Sequence, residues 1–211
     1  MPLQYSCFIS YRHSQDDIVQ DLVTSLGTEL GRWLDMEVYV DKGRLKGGDF
    51  FNNELAKALC ESVCLIVVYT PTYFSKHHSY CAREYRAMEQ LEEQRLHTLG
   101  LPQNKQHGLI IPIVYRSDKK LPESIKNERQ YYLFEAFQIS GRDNLENPEY
   151  AEKIKEIAEY IEERCEELRV VEEEVCASCD TFDFPAEHDI SDWLESMLPP
   201  QPKLPGREEI K

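Results

Sequence analysis

The chain has 211 residues, of which 41% are hydrophobic and 10% aromatic; this is enough for a core and excludes a disordered acidic chain despite 30% charged residues. The net charge of −15 sits in residues 143–198, which hold 19 acids and 4 bases, so the remainder is close to neutral. No cluster of Lys and Arg suits nucleic acid or a membrane surface, and the acidity reads as a solvated helical face. The longest apolar run, Val63 to Tyr69, has only strand length, and Met-Pro-Leu-Gln-Tyr5 lacks the basic and apolar regions of a leader. A cytoplasmic location is expected, neither secreted nor membrane-spanning. Seven cysteines, an odd number scattered along the chain, suit reduced thiols better than a disulfide framework.

Short apolar runs alternate with longer amphipathic ones, the pattern of βαβ units around a parallel sheet. Tyr5 to Tyr11 reads as the first strand. From Gln15 to Leu34, Ile18, Leu22, Leu26, Leu30 and Leu34 recur every four residues and predict a helix. Glu37 to Val40 is a brief second strand, and Asp41 to Gly48, rich in glycine and charge, is a loop. Asp49 is placed to cap a helix ending near Cys60, with Leu55 and Leu59 apolar. Val63 to Tyr69 is the third strand, its unbroken apolar run predicting burial on both faces. A helix of about twenty residues begins near Ser79.

Leu109 to Tyr115 is a fourth strand; Pro112 lacks a ladder donor, which predicts an edge position or a bulge. Gln130 to Phe137 is expected as a short fifth strand. Pro148 precedes a helix with Ile154, Ile157, Ala158, Ile161, Cys165 and Leu168 on one face and acids on the other. The whole predicts an α/β fold, a flavodoxin-like doubly wound five-stranded parallel sheet of order 2-1-3-4-5, with a C-terminal helical extension. Residues 1–168 form the sheet domain and 169–211 an acidic extension. In the extension, Asp189 is placed to cap one short helix with Ile190, Trp193, Leu194 and Met197 on one face, before a Pro-rich tail. That helix is expected to fold back on the domain.

One residue breaks the pattern. The helix after the third strand presents a stripe of Cys81, Tyr85, Met88 and Leu91, and Glu84 falls on it. A carboxylate facing a sheet costs roughly 3–5 kcal/mol unless it is paired or neutral. The bland account pairs Glu84 with Arg83 or Arg12, or lets it reach the rim. Position argues for function, because ligands of open α/β sheets sit beyond the carboxyl ends of the strands where strand order reverses. That point brings together Ser10, Tyr11, Arg12 and His13, the helix carrying Glu84, and the loop Asp41 to Gly48.

Five segments in order resemble the Toll/interleukin-1 receptor (TIR) domain family. These are Phe8-Ile-Ser-Tyr-Arg12, Val38-Tyr-Val-Asp41 with its glycine-bearing loop, Cys64 to Pro71, Tyr80-Cys-Ala-Arg-Glu84-Tyr, and Ile110-Ile-Pro-Ile113. The resemblance covers about Gln4 to Phe137, with the helix to Leu168 as a plausible close. The loop Asp41 to Asp49 lacks the proline common in animal signalling members and resembles bacterial and plant types. The segment beyond Leu168 has no counterpart in the family pattern.

The resemblance implies cleavage of the N-glycosidic bond between nicotinamide and ribose of NAD, as substrate and not as cofactor, with Glu84 as the catalytic carboxylate that binds the ribose hydroxyls. A carboxylate suits this step because an oxocarbenium-like ribose develops positive charge. It places Phe8, Ser10, Tyr11, Arg12 and Cys81 around the pocket, with core roles as the alternative for Phe8 and Cys81. Asp41, Arg44 and Lys46 come from the loop, the two cations toward phosphates or simply solvated. It further implies self-association through that loop and, as in stand-alone bacterial members, a nucleotide signal read by a separate antiphage effector.

Two rivals stand: a non-catalytic TIR module acting by TIR–TIR contacts, and a nucleoside deoxyribosyltransferase. A phosphoacceptor regulator is poor, since Asp16 and Asp17 come too late and the third strand ends in Tyr69-Thr70. Cys176-Ala-Ser-Cys179 is half of a zinc site without a second pair, His188 being a conceivable third ligand; no metal is expected. Cys60 and Cys64 read as packed thiols.

Overall fold

A computed structural model describes residues 3–12, 16–40, 51–76, 79–101, 107–137, 144 and 146–198. Five parallel strands, β1 (Tyr5–Ser10), β2 (Glu37–Val40), β3 (Ser62–Tyr69), β4 (Ile110–Val114) and β5 (Tyr132–Leu133), lie in the order 2-1-3-4-5. Helices α1 (Asp16–Leu30) and α5 (Pro148–Arg169) pack together on one face of the sheet. Helices α2 (Phe51–Cys60) and α3 (Tyr80–Thr98) cover the other. The central strand β3 is buried at every position, as its uninterrupted apolar run requires when helices cover both faces.

The helices form where apolar residues recur at helical spacing. Leu22, Leu26 and Leu30 of α1 are fully buried, and so are Ile157, Ala158 and Ile161 of α5. Asn147 caps α5, its side-chain oxygen accepting the backbone N–H groups of Glu149 and Tyr150, and Pro148 follows where its missing N–H costs nothing. Helix α3 buries Cys81, Glu84, Tyr85, Met88 and Leu91, then extends the stripe to Arg95. Arg95 is 1% exposed and donates to the carbonyls of Cys60, Ser62 and Val63, tying the end of α2 to the start of β3. Burial pulls its guanidinium down to about 10.

Several expectations need correction. Pro112 lies in full register within a central strand, paired with Val67, with no bulge. The reason is directional. Leu65 N donates to Leu109 O and Tyr115 N to Tyr69 O, whereas Phe134 N donates to Val114 O. Odd-numbered residues of β4 therefore face β3 and even-numbered ones face β5. Pro112 turns its missing donor toward β5, which pairs only with Ile113 and Val114 and needs no bond there. The fifth strand is accordingly shorter than 130–137: the chain leaves it for a 3₁₀ turn at Glu135–Phe137. A short helix α4 (Glu123–Glu128), not anticipated, precedes it.

Beyond α5 come α6 (Glu172–Val175), a 3₁₀ turn at Cys179–Thr181 and α7 (Ser191–Met197). The residue capping α7 is Ile190, which is buried, and not Asp189. Helix α7 folds back onto the domain, with Ile190, Leu194 and Met197 buried. Several acids of this largely exposed segment also make specific contacts. Glu172 accepts the N–H of Leu3, Asp180 meets Lys57 at 2.5 Å, Glu195 meets Lys76 at 2.5 Å, and Glu187 accepts from the Ser79 hydroxyl.

Cys60 and Cys179, 119 residues apart, form a disulfide, so neither is the reduced thiol expected. The fold sets the end of α2 beside the 3₁₀ turn of the extension, an adjacency that cysteine spacing does not reveal. The other five cysteines, Cys7, Cys64, Cys81, Cys165 and Cys176, are free and buried. Among the described residues no helix is long and apolar enough to cross a membrane.

Candidate functional site

Strand β1 ends at Ser10, which lies opposite Val67 of β3 at the point where strand order reverses. Side chains alternate across a strand, so Ser10 and Phe8 share one sheet face, the face beneath α3. Glu84 lies little more than one turn into α3, which starts at Tyr80, and its residue is only 7% exposed. The Ser10 hydroxyl donates to Glu84 Oε2 at 2.5 Å. A second hydroxyl, that of Tyr73, lies 2.6 Å from Ser10 Oγ. A strand end, the turn after β3 and a helix thus meet in one buried polar chain, Tyr73–Ser10–Glu84.

Tyr73 was not singled out from sequence. It is 1% exposed, held in a turn by its N–H donating to Thr70 O, and its ring packs edge-on against Phe74 with centroids 4.9 Å apart. Burial above all, then the nearby thiol of Cys81 and carboxylate of Glu84, pushes its phenol well up, so it keeps its proton. A signal was present, since an aromatic just past a sheet's central strand faces the switch point, but Tyr73 reads as core filler until its hydroxyl has a partner.

The other residues at this end take varied places. Cys81, one turn before Glu84, is buried, and its thiol points to the carbonyl of Tyr11 at 3.5 Å. Burial first and Glu84 second push that thiol upward, which disfavours a thiolate nucleophile there. Tyr11 and Arg12 are half-buried, and Arg12 donates to Thr72 O at 3.0 Å. Arg83 turns outward: its Nε donates to Pro185 O, and its guanidinium lies over the rings of Tyr80 and Phe184. Phe8 is 1% exposed and stacks on Tyr39 at 5.1 Å, a core contact. His13, Asp41, Arg44 and Lys46, with the whole loop Asp41 to Gly48, lie outside the described residues.

A groove of about 510 Å³ opens elsewhere, between α3 and the β4–β5 side, lined by Arg86, Glu92, Arg129, Tyr132 and Tyr160 among others. Glu84 does not line it. Its chemistry is structural: Glu92 accepts the N–H groups of Leu109 and Ile110 and is bridged by Arg129 at 3.0 Å, which fixes the entry to β4. Among the described residues no cluster of three or more His, Cys, Asp or Glu could hold a metal ion. With Cys179 bonded to Cys60, Cys176 and Cys179 do not form a dithiolate pair.

The arrangement can do one kind of chemistry well. A carboxylate in a sheltered site, oriented by a hydroxyl, stabilises positive charge that develops beside it.

No curated protein matches the chain. Among solved structures, it is similar to the TIR domains of the activated Roq1 resistosome, a structure described as directly recognising the pathogen effector XopQ. The identity is 22%, the match covers 74% of this chain and 84% of that one, and the TM-score is 0.39. The family model for the TIR domain matches residues 7–146, about two thirds of the chain, spanning β1 through β5 and the helix bearing Glu84. The protein belongs to the TIR domain family.

Proposed function

We propose that this protein cleaves the N-glycosidic bond between nicotinamide and ribose of NAD, with Glu84 as the catalytic residue. The observation that carries the reading is the buried Glu84 carboxylate at the β1–β3 switch point, held by the Ser10 hydroxyl. Breaking the bond leaves an oxocarbenium-like ribose, and a preoriented anion stabilises that charge in the transition state more than in the ground state. Nicotinamide departs as a neutral group, so no strong general acid is needed. In this reading Arg12, at the same end of the sheet, meets the phosphates together with the loop cations Arg44 and Lys46.

The ADP-ribosyl group then passes to water, to its own adenine, or to an added nucleophile. The proposal extends to self-association through the loop Asp41 to Gly48, and to a nucleotide product serving as a signal for a separate effector in antiphage defence. The test is NAD loss with product mass, at high protein concentration, for wild type and Glu84→Gln. Loss in the wild type that falls by at least about a hundredfold in the variant is expected, from removal of a charge-stabilising group. No loss in either protein favours a scaffold acting by TIR–TIR contacts. Base exchange between nucleosides without NAD loss favours a deoxyribosyltransferase.

A further inference from the structure

We infer that Tyr73 is a positioning residue for Glu84, acting through Ser10 as the far end of a directed hydroxyl chain. Its consequence for turnover rests on the glycosidic reading above. The direction of the chain follows from donor counting. Ser10 has a single hydroxyl hydrogen, and it goes to Glu84 Oε2, at 2.5 Å. Ser10 Oγ then has only lone pairs to offer toward Tyr73, 2.6 Å away, and the phenol donates. The order is Tyr73 O–H to Ser10 O–H to Glu84 carboxylate.

Each member comes from a different element, so the chain exists only when β1, the turn after β3 and α3 are docked. The Tyr73 ring is clamped between Phe74, edge-on at 4.9 Å, and Tyr69, at 6.4 Å. Phe74 in turn packs on Tyr85 of α3 at 5.5 Å. The phenol therefore cannot swing away, and it commits the Ser10 oxygen to one rotamer. Without it the serine hydroxyl is free to turn to another acceptor, and the carboxylate loses both a donor and its aim.

Groups set near Glu84 include Cys81 on α3 and Ser10 and Tyr73 on the facing elements. Removing the Tyr73 or Ser10 hydroxyl changes no formal charge. Tyr73→Phe keeps the ring and its packing and deletes only the oxygen. Tyr69→Phe serves as the control: it also loses a buried hydroxyl bond, to Lys120 O at 2.6 Å, but off the chain.

The experiment uses the full chain with ¹³C-labelled glutamate carboxyls, the Glu84 resonance being the one absent from Glu84→Gln. In Tyr73→Phe the acid titration of that resonance moves to higher pH, and in Tyr69→Phe it does not. On the kinetic side kcat falls about tenfold in Tyr73→Phe with KM for NAD within about twofold. Tyr73→Phe adds no further loss once Ser10→Ala is present, because the two act as one unit. An unmoved Glu84 titration in Tyr73→Phe, or equal movement in Tyr69→Phe, overturns the proposal whether or not NAD is cleaved. A moved titration in a protein that leaves NAD intact supports the positioning role and removes only the glycosidic reading.

Discussion

Tyr85 and Trp193 stack with centroids 5.8 Å apart and planes 29° apart, joining the helix that carries Glu84 to the last helix of the described chain. Trp193 also meets Phe74 edge-on at 5.9 Å, and Arg86 lies over its indole. Phe74 in turn borders Tyr73. The extension therefore braces the aromatic cluster that holds the Tyr73–Ser10–Glu84 chain.

Trp193→Ala removes this brace. A loss of about 2–4 kcal/mol in unfolding free energy is expected, the lower end reflecting a ring only partly buried. Urea unfolding of both proteins checks it. A loss within a few tenths of a kcal/mol would mean that the extension rides on the domain without supporting it.

The thiols give a second prediction. Cys60 and Cys179 are bonded across 119 residues, and closing so long a loop in the unfolded chain contributes about 3–5 kcal/mol. Burial pushes the free thiols of Cys7 and Cys165 up to about 12, so little thiolate exists at pH 8. Alkylation of the native protein is expected to leave both unmodified, while unfolding exposes five thiols without reductant and seven with it. Reductant should lower the urea midpoint of wild type and leave Cys60→Ala/Cys179→Ala unmoved. Seven alkylated thiols in unfolded, unreduced protein would show that the bond does not form.

The third concerns acid. Glu61 is 3% exposed, and its carboxyl is raised above the ordinary 4.5 because burial outweighs the Lys57 ammonium 3.7 Å away. Since its folded pKa is the higher one, its favourable contribution is complete below the unfolded value and lost as pH rises through the folded one. Glu61→Gln should therefore be more stable than wild type at pH 7, with the advantage shrinking as pH falls through the raised folded value and gone below about 4.5. Unfolding free energies at pH 7 and pH 4 decide it; an advantage that grows in acid would mean that the Lys57 pair dominates.

Much of the fold is legible along the chain. Val63 to Tyr69 reads as a buried strand because seven apolar residues in succession suit only an element covered on both sides. Glu84 could be singled out because helical spacing places it with Cys81, Tyr85 and Met88, so one acid on an apolar stripe stands out. These are local signals, carried by residues within a turn or two of each other.

The rest depends on pairings between distant residues. Ser10 and Tyr73 are 63 positions apart and Cys60 and Cys179 are 119 apart, and no periodicity links either pair. Pro112 suggested an edge because its missing donor was visible but the direction it faces was not. Arg95, 1% exposed, is held by carbonyls at the junction of α2 and β3, residues more than thirty positions away. Residue order and hydrophobic period set which segments become strands and helices, since those depend on short-range sterics and on which face is apolar. Parallel crossovers then bring the ends of β1, β2 and β3 together, and it is this packing, summed over the whole core, that chose which hydroxyl meets Glu84 and which cysteine meets Cys60.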